Sequence, residues 1–277
     1  MDKDMTAIAR DARENILIAA HRGAAGGNVP CNSMAAFSAA LRQGADVIEL
    51  DVTRSSDGVL YVFHPGMEPR FLCSGPIAQM TSAQADRLRL VNQDGTQTQY
   101  GVPRLEEALR FLKGRCYINL DKFWTCPEEI GSMVRRLGMQ DQALIKTGVG
   151  AQEFARVEEC AWDIPYMVIA RKQDDFTEHL LSRRMRYVGV EALFETEDEP
   201  IAQTAYLQRM RERGLITWAN SIVYNYRAVL SAHHTDDVSI AEDEEKGWGW
   251  LIDRGFRIIQ TDWPLMLDLY LRRKALR

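Results

Sequence analysis

The sequence lacks most of what would tie it to a membrane, a nucleic acid or a disulfide framework. None of its apolar runs approaches the ~18 residues that read as a membrane span. The opening Met1-Asp2-Lys3-Asp4 lacks the charged-then-apolar pattern of a secretion signal. The five cysteines (Cys31, Cys73, Cys116, Cys126, Cys160) are odd in number and fit no zinc spacing. There is no basic block, and the formal net charge is −5, so nucleic acid is not an expected partner. No repeat of fixed period and no low-complexity segment occurs. Gly23-x-x-Gly26-Gly27, which follows the first apolar run, has the wrong spacing for a dinucleotide loop. These absences leave a reduced, cytoplasmic protein without an integral membrane segment as the expectation.

What is present is ordinary in bulk and patterned in detail. The 277 residues are 46% hydrophobic and 26% charged, enough for a large core without disulfides. Since α/β barrels of roughly 200–250 residues fold as one unit, residues 1–277 are expected to form a single domain. Residues 1–15 carry only weak helical signal, and 16–20 form a strand-length apolar run. Asn32 or Ser33 can cap a helix with apolar positions Met34, Phe37 and Leu41. A glycine then recurs between helix and strand, as in Lys113-Gly114, Leu137-Gly138, Arg213-Gly214 and Arg254-Gly255. Strands are expected near 46–52, 116–121, 143–146, 165–170, 186–190, 215–219 and 256–260. Residues 61–64 would return as a hairpin arm after the turn Ser56-Asp57-Gly58. With the first run this makes eight strands alternating with helices, which favours a closed (β/α)₈ barrel over an open doubly wound sheet. Residues 65–102 form a proline-containing insertion, expected as a small cap over the barrel mouth. Residues 220–241 are a second irregular stretch.

Catalytic groups in such a barrel sit at the C-terminal ends of the strands. His21, Glu49 with Asp51, Asp121, Lys146, Glu191, Trp218 and Asp262 fall at or just beyond these ends. Glu49 and Asp51 are two apart, so they share a strand face, while Ile48 and Leu50 pack outward. Two carboxylates so close repel unless neutralised, and an oxygen-seeking divalent cation, Mg²⁺ or Ca²⁺, does this with Asp121 as third ligand. The bland alternative is a pair of solvated carboxylates on an edge strand. His21 and His64 are candidates for acid and base, since imidazole exchanges protons near neutral pH. His179, His233 and His234 have no such neighbours and read as packing or surface groups. Arg22 offers a bidentate donor for phosphate, and Gly23 lets the backbone approach. Cation, arginine and two histidines together describe phosphoester chemistry. Trp218 could stack on a substrate body; Trp124, Trp248, Trp250 and Trp263 read as packing.

These residues carry a family resemblance. His21-Arg22-Gly23, Pro30-x-Asn32-Ser33, Gly44-Ala45-Asp46-x-x-Glu49-x-Asp51-Val52, Asp57-Gly58 and the strand ending in His64 resemble the glycerophosphodiester phosphodiesterases. Val102-Pro103-x-Leu105-Glu106-Glu107, Ile118-Asn119-Leu120-Asp121-Lys122, Trp218-x-Asn220 and Thr261-Asp262-x-Pro264 look like later landmarks of that family. The resemblance implies a (β/α)₈ TIM barrel of the phospholipase C-like phosphodiesterase type. It implies hydrolysis of a small glycerophosphodiester to a phosphomonoester and an alcohol, a divalent metal on Glu49, Asp51 and Asp121, and His21 with His64 as the acid–base pair. Arg22, Asn32, Glu191, Trp218 and a lysine, Lys122 or Lys146, would then hold substrate and phosphate.

Three departures from the family pattern stand out. Cys31 replaces a glutamate, His64-Pro65 replaces His-Asp, and Asp121-Lys122 replaces a glutamate followed by a lysine one position later. Strand alternation would point Lys122 away from Asp121, leaving the phosphate to Lys146. Two rival readings keep the barrel. One is a phospholipase D-like lyase that stops at a cyclic phosphate; the other is a non-catalytic sugar-phosphate binder, suggested by the lost carboxylates. A metal-free hydrolase is a third. The sequence sets no oligomeric state.

Overall fold

The computed structural model describes residues 5–68, 75–225 and 227–277. The opening Met1-Asp2-Lys3-Asp4 and Cys73 lie outside the described residues.

Eleven strands occur among the described residues. They are β1 Leu17–Ala20, β2 Val47–Arg54, β3 Leu60–Val62, β4 Arg89–Val91, β5 Gln97–Gly101, β6 Tyr117–Asp121, β7 Ala143–Thr147, β8 Pro165–Arg171, β9 Arg186–Leu193, β10 Ile216–Asn220 and β11 Ile258–Thr261. Eight of these pair in parallel in the cyclic order β1-β2-β6-β7-β8-β9-β10-β11, and β11 closes on β1. The chain is a (β/α)₈ barrel, as the alternation predicts. Each strand buries one face under helices, a cluster that includes Ile18, Ile48, Leu50, Ile118, Ile145 and Val168. The other face points into the barrel, so the pleat alone decides what fills the interior.

That interior changes character along the axis. Leu17, Ala19, Val47, Leu144, Met167, Val188, Ile216 and Ile258 form an apolar layer at the N-terminal end. It is sealed by Ile8, Ala9 and Ala12 of the helix Ala7–Glu14, which Thr6 caps. The segment that reads as weakly helical thus serves as the barrel's floor. Glu49, Asp51, Asn119, Lys146, Glu191, Asn220 and Gln260 lie buried toward the opposite end.

β3 pairs antiparallel with the end of β2, as the hairpin pattern predicts. Residues 65–102 hold more structure than their weak periodicity suggests: a β4–β5 hairpin and a short helix Ser82–Ala85 packed on their own apolar cluster of Tyr61, Phe63, Ile77, Leu90 and Val91. The stretch 220–241 ends in a short helix, Asp236–Ala241, with Thr235 as its cap. No helix among the described residues is long and apolar enough to cross a membrane. Among the described residues, Cys116, Cys126 and Cys160 form no disulfide.

Helix packing around the barrel is close where Gly131, in the helix Pro127–Leu137, faces the helix Ala151–Cys160. A Cβ at Gly131 would overlap the backbone carbonyl oxygen of Cys160. Alanine is the better helix former by about 1 kcal/mol, but backbone cannot yield as a side chain would. Gly131→Ala should therefore lower stability by about 1–3 kcal/mol in urea denaturation. A stabilised variant would show that the two helices are free to separate.

Candidate active site

The C-terminal ends of β1, β2, β6 and β11 meet at one rim. Parallel register sets Glu49 beside Asn119 and Asp51 beside Asp121. Ligand oxygens of Glu49, Asp51 and Asp121 come within 4.8 Å of one another. Glu49 and Asp51 are 3% and 0% exposed, so water does not relieve their repulsion. Burial, with Asp51 nearby, pushes the Glu49 carboxyl up to about 8.

Arg22 holds the pair together. It turns through a left-handed φ of 57° immediately after β1. Its backbone N–H donates to Glu49 Oε2 at 2.8 Å, and its Nε lies 2.9 Å from Asp51 Oδ2. Gly23 follows at φ +80°, pressed so close to the Ala36 backbone that a Cβ would sit 2.7 Å from its carbonyl carbon. Asn32, itself left-handed, donates from Nδ2 to Asp51 Oδ2 at 2.8 Å. Asp51 Oδ1 is buried and finds no hydrogen-bond donor among the described residues. An orphaned carboxylate oxygen among two other carboxylates fits an oxygen-liganded divalent cation, which would supply the missing partner.

The histidines arrive from two directions. Ala20 lies in register with Thr261, so His21 falls beside Asp262, and its Nδ1 is 2.8 Å from Asp262 Oδ1. Burial pulls this imidazole down, but the Asp262 hydrogen bond and the Glu49 charge leave it above its ordinary value. His64 follows β3, where the Phe63 N–H donates to the Asp51 carbonyl at 3.0 Å. Its Nε2 lies 3.9 Å from Asp51 Oδ1. Burial, only partly offset by Asp51, holds His64 below its ordinary value.

Lys122 corrects the alternation argument. It adopts φ 60°, leaving the strand geometry that would have pointed it away. Its Nζ reaches Asp121 Oδ2 at 2.8 Å and stands 4.0 Å from Asp51 Oδ1. Burial tends to lower its pKa, but Asp121 raises it above the ordinary value; reciprocally, burial raises Asp121 and Lys122 brings it below.

Of four further residues expected at the substrate, Lys146, Trp218 and Asn32 are buried against partners, and Glu191 lies at the wall of the inner cavity. Lys146 is 1% exposed, with Nζ 2.7 Å from Glu191 Oε2 and 3.2 Å from the Trp218 ring centre. Because β7 continues to Thr147, Lys146 points into the barrel beneath the rim and not toward phosphate. Burial holds its pKa below the ordinary value despite Glu191. Trp218 is fully buried, its Nε1 donating toward Asn220 Oδ1 and Gln260 Oε1, so it offers no stacking face. Asn32 is 3% exposed and orients Asp51. Glu191 lies inside β9, two residues short of its end, and its Oε1 accepts from Asn220 at 2.6 Å.

Two cavities share His21 and Arg22 as walls. The inner one, about 170 Å³, is lined by Glu49, Asp121, Lys122, Glu191 and Tyr224 among others. The outer groove, about 530 Å³, runs between the loop after β1 and the tip of the β4–β5 hairpin. The site also uses residues that the sequence did not single out. Asp236 is fully enclosed, accepting from Ser221, Trp248, Thr261 and the backbone N–H of Asp262, and so fixes the loop that carries Asp262. Tyr224 meets the His21 ring edge-on at 6.0 Å. Trp124 and Trp263, read from the sequence as packing, are 42% and 50% exposed at the cavity walls. His234, in contrast, stacks on Trp250 away from the site.

The buried Lys146–Glu191 pair makes a test of this layering. Lys146→Met leaves Glu191 uncompensated and should cost about 3–5 kcal/mol in denaturant unfolding, while Lys146→Met with Glu191→Gln should recover most of it. A single variant as stable as the parent would contradict the buried placement.

Comparison with known proteins agrees with the fold. A family model described as a domain of unknown function matches residues 166–271. A glycerophosphodiester phosphodiesterase of Bacillus altitudinis is 31% identical over 143 residues, 47% of this chain and 57% of that protein. An uncharacterized protein of Bacillus subtilis is likewise matched over 57% of its length, so the chain spans little more than half of these curated relatives. Among solved structures, a glycerophosphoryl diester phosphodiesterase from Parabacteroides distasonis superposes with a TM-score of 0.77 at 20% identity, covering 98% of this chain and 93% of that one. A phosphodiesterase from Oleispira antarctica, in complex with the product sn-glycerol-3-phosphate, superposes with a TM-score of 0.68 at 18% identity, covering 93% and 97%. The chain has the fold of these enzymes and resembles them in sequence.

Proposed function

We propose that this chain is a glycerophosphodiester phosphodiesterase, hydrolysing a small phosphodiester to a phosphomonoester and an alcohol. The observation that carries the reading is the convergence of the buried Glu49–Asp51–Asp121 cluster, with its unpartnered Asp51 oxygen, and two histidines on one rim. The fold it shares with a structure holding sn-glycerol-3-phosphate supports a substrate of that kind.

Glu49, Asp51 and Asp121 would hold a divalent cation, Mg²⁺ or Ca²⁺, which when bound neutralises charge on a phosphate oxygen. Arg22, present in the walls of both cavities, and Lys122, present in the inner one, place positive charge where the remaining phosphate oxygens would lie. His21 and His64 move the two protons that ester cleavage requires, one from the attacking oxygen and one to the leaving oxygen. Asp262, bonded at Nδ1, fixes the His21 ring so that Nε2 is the atom available for transfer. His21, held above its ordinary pKa by Asp262, suits the protonated, donating role.

Replacing either histidine by alanine should lower kcat by at least ~10²-fold on a glycerophosphodiester. Chelation should abolish turnover, and Mg²⁺ or Ca²⁺ should raise the thermal midpoint of the parent but not of Asp51→Asn. Full activity in either histidine variant, or after chelation and dialysis, would overturn the assignment. Phosphorus NMR of the product should show a phosphomonoester without accumulating cyclic phosphate.

The Asp262 contact makes a separate prediction. With Asp262→Asn, His21 loses what raises its pKa, so it deprotonates at lower pH. The alkaline limb of the kcat/KM profile should move to lower pH, with the acid limb in place. An unmoved alkaline limb would remove His21 from the acid role.

A further inference from the structure

We infer that Arg171 is a specificity-determining residue, and that it recognises a carboxylate on the alcohol lodged in the inner cavity. The inference rests on the phosphodiesterase reading and adds the class of diester: one whose alcohol is itself an acid.

The pleat of β8 sets the position. Tyr166, Val168 and Ala170 pack outward under the helices, while Met167 belongs to the apolar layer inside the barrel. Ile169 and Arg171 continue the Met167 face toward the mouth and reach the wall of the inner cavity. β8 is the fifth strand in the cyclic order that begins at β1, so Arg171 stands across the mouth from His21 and Arg22.

The other charged groups of that wall have partners. His21 is bonded to Asp262, Arg22 to Asp51 and Glu49, and Lys122 to Asp121. Glu191 uses both oxygens, one on Lys146 and one on Asn220. Among the described residues, the exposed Arg171 guanidinium has no ion pair, hydrogen bond or ring contact. Its register neighbour is Leu193, which packs with Ile169, Ile222 and Leu230, so this side of the wall brings it no carboxylate. Glu195 and Glu199 of the following loop stand 3.5 and 4.0 Å from the Nζ of Lys172, which leaves the strand through a left-handed φ of 65°.

The cavity therefore presents two separate positive poles. Arg22 and Lys122 form one, beside the carboxylate cluster, where the phosphate would be held. Arg171 is the other, and a neutral glycerol gives it only a hydroxyl to meet. A carboxylate offers two oxygens to the guanidinium fork, and such charge-assisted pairs are roughly twice as strong as neutral hydrogen bonds. Size agrees with this choice. The cavity is about 170 Å³, and exchanging the terminal hydroxymethyl of glycerol for a carboxylate leaves the length of the alcohol unchanged, whereas a second phosphate would lengthen it.

The test compares, on the metal-loaded chain, the methyl phosphodiesters of glycerol and of glycerate, which differ only in that exchange. The glycerate ester should be favoured in kcat/KM at least ten-fold. Arg171→Met should raise KM on the glycerate ester at least ten-fold more than on the glycerol ester. Calorimetry gives a readout that needs no turnover: the phosphomonoester of glycerate should bind at least ten-fold tighter than that of glycerol, and Arg171→Met should remove the margin. Turnover of the glycerol ester with no preference for glycerate, or equal affinities for the two monoesters, overturns the inference alone. So does a preference that Arg171→Met leaves intact. No turnover of either ester overturns the phosphodiesterase reading, and the inference with it.

Discussion

Three carboxylates crowd one end of the barrel because the sheet forces them there. Glu49 and Asp51 share a face of β2, and parallel pairing brings Asp121 of β6 alongside Asp51. No side-chain rotation separates them, since Glu49 and Asp51 are sealed from water by their neighbours. The arrangement persists because Arg22 and Asn32 spend their donors on it, each from a left-handed backbone conformation. Those donors leave Asp51 Oδ1 unserved. The fold thus stabilises the cluster incompletely, and what it leaves undone is what a cation would do.

The rest of the barrel reads as support for that rim. Its interior passes from an apolar layer, plugged by the first helix, to a buried polar layer built around Lys146, Glu191, Asn220 and Trp218. Glu191 and Asn220 of this layer reach the wall of the inner cavity, while Lys146 and Trp218 lie buried beneath it, a charge pair and an aromatic face under the cavity's floor. Above it, Asp236 anchors the turn after β11 through four donors, which keeps Asp262 within reach of His21. Active groups from the first and last strands meet because β11 closes on β1.

Much of this was legible in the chain. Alternating helix, glycine and strand signals specify the barrel, since each strand's periodicity is local. The i, i+2 spacing of Glu49 and Asp51 specifies their shared face, and the Ser56-Asp57-Gly58 turn brings His64 back to them. What escaped depends on single backbone angles or on distant register. Lys122 points toward Asp121 because one residue has φ 60°, which no alternation rule contains. Lys146 lies too deep for phosphate because β7 runs one residue further than its apolar run, and Trp218 faces inward with Asn220 for the same reason of pleat. Asp262 stands out as a landmark, but its bond to His21 spans 241 residues of sequence. Asp236 lies in an irregular stretch with no pattern to mark it. Trp124 and Trp263 look like packing residues because exposure is not encoded by residue type.

The central proposal is that Glu49, Asp51 and Asp121 would together hold a divalent cation. A crystal grown with Mn²⁺ as a visible substitute and measured for anomalous scattering tests it directly. The account predicts a single strong peak within about 2.0–2.5 Å of oxygens from Glu49, Asp51 and Asp121. An empty cluster at saturating Mn²⁺, or a peak held by other residues, would contradict it.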